Sequence, residues 1–105
     1  MSIQKRFLTD KGVCRVTFSL PKSIVENANK IAIVGDFNGW CAEKNLMKKT
    51  KSGKFESSVD LPLGKQYQFR YLIDDDKWES DMEADGLSET PYKETFNSVV
   101  KCDHP

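Results

Sequence analysis

Val13 to Leu20 alternates without a break. Cys14, Val16, Phe18 and Leu20 fall on one side, and Arg15, Thr17 and Ser19 on the other, as a strand with one buried face requires. Pro21 ends it, because proline has no N–H for a ladder. Residues 22–29 form a connection with room for one helical turn. Ile31-Ala32-Ile33-Val34 is an apolar, β-branched run and reads as a second, buried strand. Leu46 to Lys49 and Lys54 to Leu61 flank Ser52-Gly53 as the arms of a hairpin, with Phe55, Ser57, Val59 and Leu61 in one phase. After Pro62-Leu63-Gly64 comes the clearest strand. Tyr67, Phe69, Tyr71 and Ile73 share one face, and Gln66, Gln68, Arg70 and Leu72 the other. Asp74-Asp75-Asp76-Lys77 turns the chain into Trp78-Glu79-Ser80. Residues 81–94 are acidic and without periodicity, and Asn97 to Cys102 closes as a last strand.

Strands at roughly 8–12-residue spacing with almost no helix predict an all-β fold, an immunoglobulin-like antiparallel β-sandwich of about seven strands. One domain over residues 1–105 is expected, its core lying between about residues 13 and 102. The phases place Tyr67, Phe69 and Tyr71 inward with Phe18, Ile31, Ile33, Val59 and Val99.

The most punctuated stretch is Val34-Gly35-Asp36-Phe37-Asn38-Gly39-Trp40. Asn38-Gly39 is a strong turn signal, since both residues tolerate positive φ. Gly35 ends the strand where a side chain is unwelcome. Trp40 lies just past the turn, where its ring must tuck into the core or stand at the surface.

Charge adds mainly exclusions. Sixteen basic and sixteen acidic side chains cancel, so no overall field draws the chain to nucleic acid or to an anionic membrane. Lys48-Lys49-Thr50-Lys51 reads as a solvated hairpin tip. No apolar stretch approaches the ~20 residues of a membrane span. The first residues lead into a mixed segment without the apolar region of a signal peptide. Cys14, Cys41 and Cys102 are an odd, widely spaced set, unlike a disulfide framework or a zinc knuckle. Three free thiols and a cytoplasmic location are the expectation.

Little in the chain suits catalysis, and it is read as a non-enzyme without a cofactor or metal. The single histidine, His104, sits next to the terminal residue. Seven acids between Asp74 and Asp85 raise the two-carboxylate glycosidase arrangement. They read instead as a solvated loop, lacking the apolar setting that raises a carboxyl pKa. As a calcium loop beginning at Asp74 the run fails, with Trp78 at the fifth position and Glu79 where glycine is needed.

Binding chemistry is better represented. Trp40 and Trp78 each follow a turn at a strand end, and an indole is flat, apolar and stiff with one edge donor, which suits the C–H face of a sugar ring. Arg70 is in the outward phase of its strand, where its guanidinium can donate to hydroxyls. Gly35-Asp36-Phe37-Asn38-Gly39-Trp40, Leu61-Pro62-Leu63-Gly64, Tyr67 to Asp74, Trp78 and Asn97-Ser98-Val99-Val100 occur in that order. Together they resemble the starch- and glycogen-binding module at the N-terminus of isoamylases and glycogen branching enzymes. The chain is also similar to the glycogen-binding domain of the β subunit of AMP-activated protein kinase. The resemblance covers residues 13–101.

What the resemblance implies is a carbohydrate-binding site made by Trp40, Arg70, Trp78, Thr95 and Asn97. The two tryptophans form a platform for an α-1,4-linked glucan, such as glycogen, a starch fragment or a maltooligosaccharide, and the polar residues donate to its hydroxyls. A separate glycogen-metabolising enzyme is the implied protein partner. The chain departs from the family at Thr90 to Phe96, which replaces a glycine-rich approach, and near Lys93, where an apolar contact residue has no counterpart. Because some members keep the fold and lose the sugar, the alternative is an immunoglobulin-like protein-interaction module using a sheet face or edge strand.

Overall fold

The computed structural model describes residues 2–25, 27–41, 43–75, 77–81, 84–89 and 96–103. Two antiparallel sheets pack face to face as an immunoglobulin-like sandwich. The first sheet runs β1 (Ser2–Leu8), β2 (Val13–Leu20), β5 (Phe55–Pro62), β4 (Lys48–Lys49). The second runs β3 (Ile31–Gly35), β6 (Gln66–Ile73), β9 (Phe96–Lys101), β8 (Gly86–Glu89), with β7 (Lys77–Glu79) also paired to β6. One helical turn, α1 (Lys22–Val25), occupies the connection after Pro21.

Period-two patterning builds the core as the strands suggest. Cys14, Val16, Phe18 and Leu20 of β2 are fully buried and face Tyr67, Phe69 and Tyr71 of β6, with Ile31 and Ile33 of β3 beside them. Phe18 is the hinge of an aromatic cluster, its ring 5.0 Å from Phe69 and 6.3 Å from Tyr71, both edge-on, an arrangement that aligns ring edges with ring faces. Val59 packs at the margin of this core.

Val99 does not join it. β9 pairs Tyr67 with Val100 and Phe69 with Ser98, so Val100 is buried and Val99 lies outward opposite Gln68. Two adjacent valines leave the phase open, and a buried polar contact decides it. Ser98 Oγ accepts the backbone N–H of Asp81 at 2.6 Å.

The structure has more strands than the patterning predicts. In β1, Ile3 and Phe7 pack against the core, but Lys5 shares their phase opposite Val16 and breaks the apolar alternation. Its ammonium is paired with Asp85. β8 lies inside the acidic stretch read as loop, and it is a short strand at the sheet edge.

The acids of that region are not simply solvated. Asp74 Oδ1 accepts the backbone N–H groups of Asn29 and Lys30. Asp75 pairs with Lys30, and Asp85 accepts the N–H of Lys101. Asp81 is fully buried and accepts the Tyr71 hydroxyl at 2.9 Å. Composition alone cannot separate a carboxylate that caps backbone from one that faces water.

Candidate functional site

Each residue of the stretch after β3 has a separate task. A Cβ at Gly35 would lie 2.5 Å from the Gln68 carbonyl oxygen and 2.8 Å from Phe69 Cβ, so only glycine lets β3 close on β6 there. Asp36 then takes the place of the next ladder residue, its Oδ2 accepting the Gln68 N–H at 2.8 Å. Phe37 turns inward, stacked 6.4 Å from Phe18 and edge-on to Tyr67. Asn38 is buried; its Oδ1 accepts the Gly35 N–H, and its Nδ2 donates to the Ile33 carbonyl and to Asn45 Oδ1.

The turn is thus not made by Asn38 at positive φ. Residues Asp36–Asn38 form a 3-10 turn, and the left-handed positions are Gly39 (φ 65°) and Trp40 (φ 59°). Indole in that region is costly. Trp40 is 38% exposed, with its Nε1–H donating to Asp36 Oδ1 at 3.1 Å. One carboxylate therefore holds both the ring and strand β6.

The outward face of the second sheet carries the other residues. Trp78 pairs with Leu72 across β6–β7 and is 48% exposed. Leu72 pairs in turn with Ala32, and Ala32 bridges to Leu46. Ala32, Val34 and Leu72 form a small buried cluster on what would be the solvent side of the sheet, flanked by the exposed side chains of Trp78 and Leu46. Arg70, opposite Val34 on this same face, is half-buried. Its Nε–H donates to the Phe96 carbonyl at 3.3 Å, an oxygen that also accepts the Ser80 hydroxyl at 2.6 Å. Asn97 shares the outward phase of β9 and donates from Nδ2 to Gln68 Oε1 at 2.9 Å.

Trp78, Arg70 and Asn97 are therefore brought to one sheet face. Trp40 is linked to that face by a hydrogen-bonded run from indole to Asp36, to the Gln68 backbone, and from the Gln68 side chain to Asn97. Along β6 the positions of Leu72, beside Trp78, and Phe69, beside Gly35, are three residues apart, roughly 10 Å at the rise of a strand. Thr95 lies outside the described residues. Asp36, Gln68 and Ser80 were not singled out from the sequence. An aspartate four residues before a tryptophan is the only signal that marks Asp36 in advance, and nothing local marks Gln68 or Ser80.

Such a face presents apolar ring surface, a guanidinium already oriented by one carbonyl, and carboxamides at fixed positions. That chemistry suits a neutral, polyhydroxylated ligand with apolar C–H faces better than a strongly charged one.

Comparison with known proteins agrees. Over 45 residues, 41% of this chain, it is 42% identical to the 1,4-alpha-glucan branching enzyme GlgB 1 of Rhizobium etli, and the match spans only 6% of that enzyme's length. Residues 15–102 match the glycogen recognition site of AMP-activated protein kinase, from β2 through the end of β9, and the chain belongs to that carbohydrate-binding family.

Proposed function

We propose that this protein binds α-1,4-linked glucan, as glycogen, a starch fragment or a maltooligosaccharide, on the outward face of its second sheet. In this reading Trp40 and Trp78 form the platform, Arg70 and Asn97 donate to sugar hydroxyls at its edge, and Thr95 adds a further polar contact. Family membership supports glycogen recognition. The observation that carries the finer assignment is the convergence of Trp78, Arg70 and Asn97 on one face, with Trp40 tied to it through Asp36 and Gln68. The module performs no chemistry itself. It holds the polymer so that a glycogen-metabolising enzyme meets it at high local concentration.

Titrating the wild type and its variants with maltoheptaose, by calorimetry and tryptophan fluorescence, tests this. Truncating a central aromatic often costs ~2 kcal/mol, so Trp40→Ala or Trp78→Ala should each weaken binding about 30-fold. Arg70→Ala should cost about tenfold, as a partly solvated charged donor does. Unchanged fluorescence with sugar, together with unchanged retention of both tryptophan variants on immobilised glycogen, would refute the reading. The long strand β1, at the edge of its sheet beside β2 among the described residues, is then the surface to examine for a protein partner.

A further inference from the structure

Beyond the platform, the same sheet face continues into a groove of about 360 Å³, within the size range of ligand sites. Asp36 lines it together with Gln66, Gln68, Gly86, Leu87, Ser88, Val99 and Lys101. Register places these residues together. Gln68 pairs with Val99 and Gln66 with Lys101, while Gly86 lies opposite Val99 on β8. Gly86 leaves its part of the groove wall without a side chain. A Cβ there would meet nothing closer than Val99 Cβ at 3.8 Å, so packing does not demand glycine.

The composition of this groove is specific. Val99 and Leu87 supply apolar surface, and two carboxamides, a hydroxyl, the Asp36 carboxylate and the Lys101 ammonium supply polar groups around it. Gln66 is steadied by its bond to Asp103. Lys101 has no ion pair among the described residues, although its backbone N–H is held by Asp85. A pyranose has the same division, with apolar C–H faces and polar hydroxyl edges. The groove also shares parts with the platform. Asp36 holds the Trp40 indole, and Gln68 holds Asn97. From Leu72, beside Trp78, to Gln66 is six residues of β6, roughly 20 Å of continuous face.

We infer that the groove over β6, β9 and β8 is a second subsite for the same glucan chain, entered as the polymer passes from the tryptophans across Gln68. This rests on the glucan reading above and extends it. The protein recognises a run of linked glucose units and selects long chains over short ones. Lys101 and Ser88 donate to hydroxyls, and Val99 lies under a ring.

The test compares maltotriose with maltoheptaose by calorimetry, using wild type, Gly86→Val and Lys101→Ala. Wild type should bind maltoheptaose more tightly than maltotriose. Gly86→Val fills the groove without positive-φ strain. It should weaken maltoheptaose about fivefold and leave maltotriose within twofold; Lys101→Ala should act the same way, as loss of one hydrogen-bond donor predicts. Thermal melts matching wild type verify that both variants are folded. Equal affinity of the wild type for the two sugars, or groove variants indistinguishable from it on maltoheptaose, overturns the groove alone. Failure of the wild type to bind either sugar overturns the glucan reading on which it rests.

Discussion

At Trp40 the main chain adopts φ 59°, a conformation that costs a non-glycine residue about 1–2 kcal/mol. Substitution therefore separates the work of the ring from the cost of the backbone. Trp40→Gly and Trp40→Ala should lose sugar affinity to the same extent, about 30-fold. In thermal melts, however, the glycine variant should be more stable than the alanine variant by ~1 kcal/mol. Asn38 is the opposite case, a buried amide whose value is structural. Asn38→Asp keeps the shape but replaces an NH₂ that donates to Ile33 O at 2.9 Å and Asn45 Oδ1 at 2.7 Å. The new carboxylate would face two acceptor oxygens. A loss of ~2–4 kcal/mol in urea unfolding is expected, since a buried polar group left unpaired costs far more than the net gain of the bond.

Among the elements, β6 is the one on which the proposed site and the core are both built. It pairs with β3, β9 and β7, so its inward phase supplies Tyr67, Phe69 and Tyr71 while its outward phase supplies Gln66, Gln68, Arg70 and Leu72. Its contact with β3 depends on Gly35. Gly35→Ala must separate the strands or bend them, because the added methyl meets backbone oxygen and not a yielding side chain. The expected loss is about 1–3 kcal/mol, as for other overpacked sites, read from denaturant midpoints. Weaker maltoheptaose binding should accompany it, since Asp36 and Trp40 follow directly. The inner edge of β6 is tied to the segment after β7 by the Tyr71 hydroxyl on buried Asp81. Tyr71→Phe should lower stability by about 1–3 kcal/mol, the cost of losing that buried hydrogen bond.

For the whole molecule, buried acids of the core set the response to alkali. Burial, reinforced by the neighbouring Cys14, pushes the Cys102 thiol up to about 12. Burial, then Asp81, raises Tyr71, and burial, then the two thiols, raises Tyr67. Each group keeps its proton in the folded chain after the unfolded chain has lost it. Stability from these groups is thus fully present below pH about 8.5 and falls as pH rises towards about 12. Urea midpoints at pH 8, 9.5 and 11 (values chosen around the ordinary thiol and phenol pKa values, about 8.5 and 10) should decrease in that order. The three cysteines are free. Cys41 is the accessible one and should be alkylated first in native protein, whereas Cys14 and Cys102 are fully buried and should wait for unfolding.

Much of this architecture is legible in the chain itself. The alternation in β2 and β6 and the paired turn residues at Ser52-Gly53 are local signals, and burial of one strand face acts on them directly. Gly35 and Trp40 also stand out, because close approach and turn punctuation are written in residue type. What the sequence left open was decided by contacts between distant segments. Val99 and Val100 are equally apolar, and only Ser98 reaching Asp81 sets which faces the core. Lys5 hides strand β1 until Asp85 arrives to pair with it. Asp36 and Gln68 acquire meaning only when β3 and β6 lie side by side, since a carboxylate cannot hold a strand's N–H and a tryptophan's indole together before both are in reach. The proposed site draws on three strands and a turn, and the common face of Trp78, Arg70 and Asn97 is a property of register, which tertiary packing determines and no local pattern encodes.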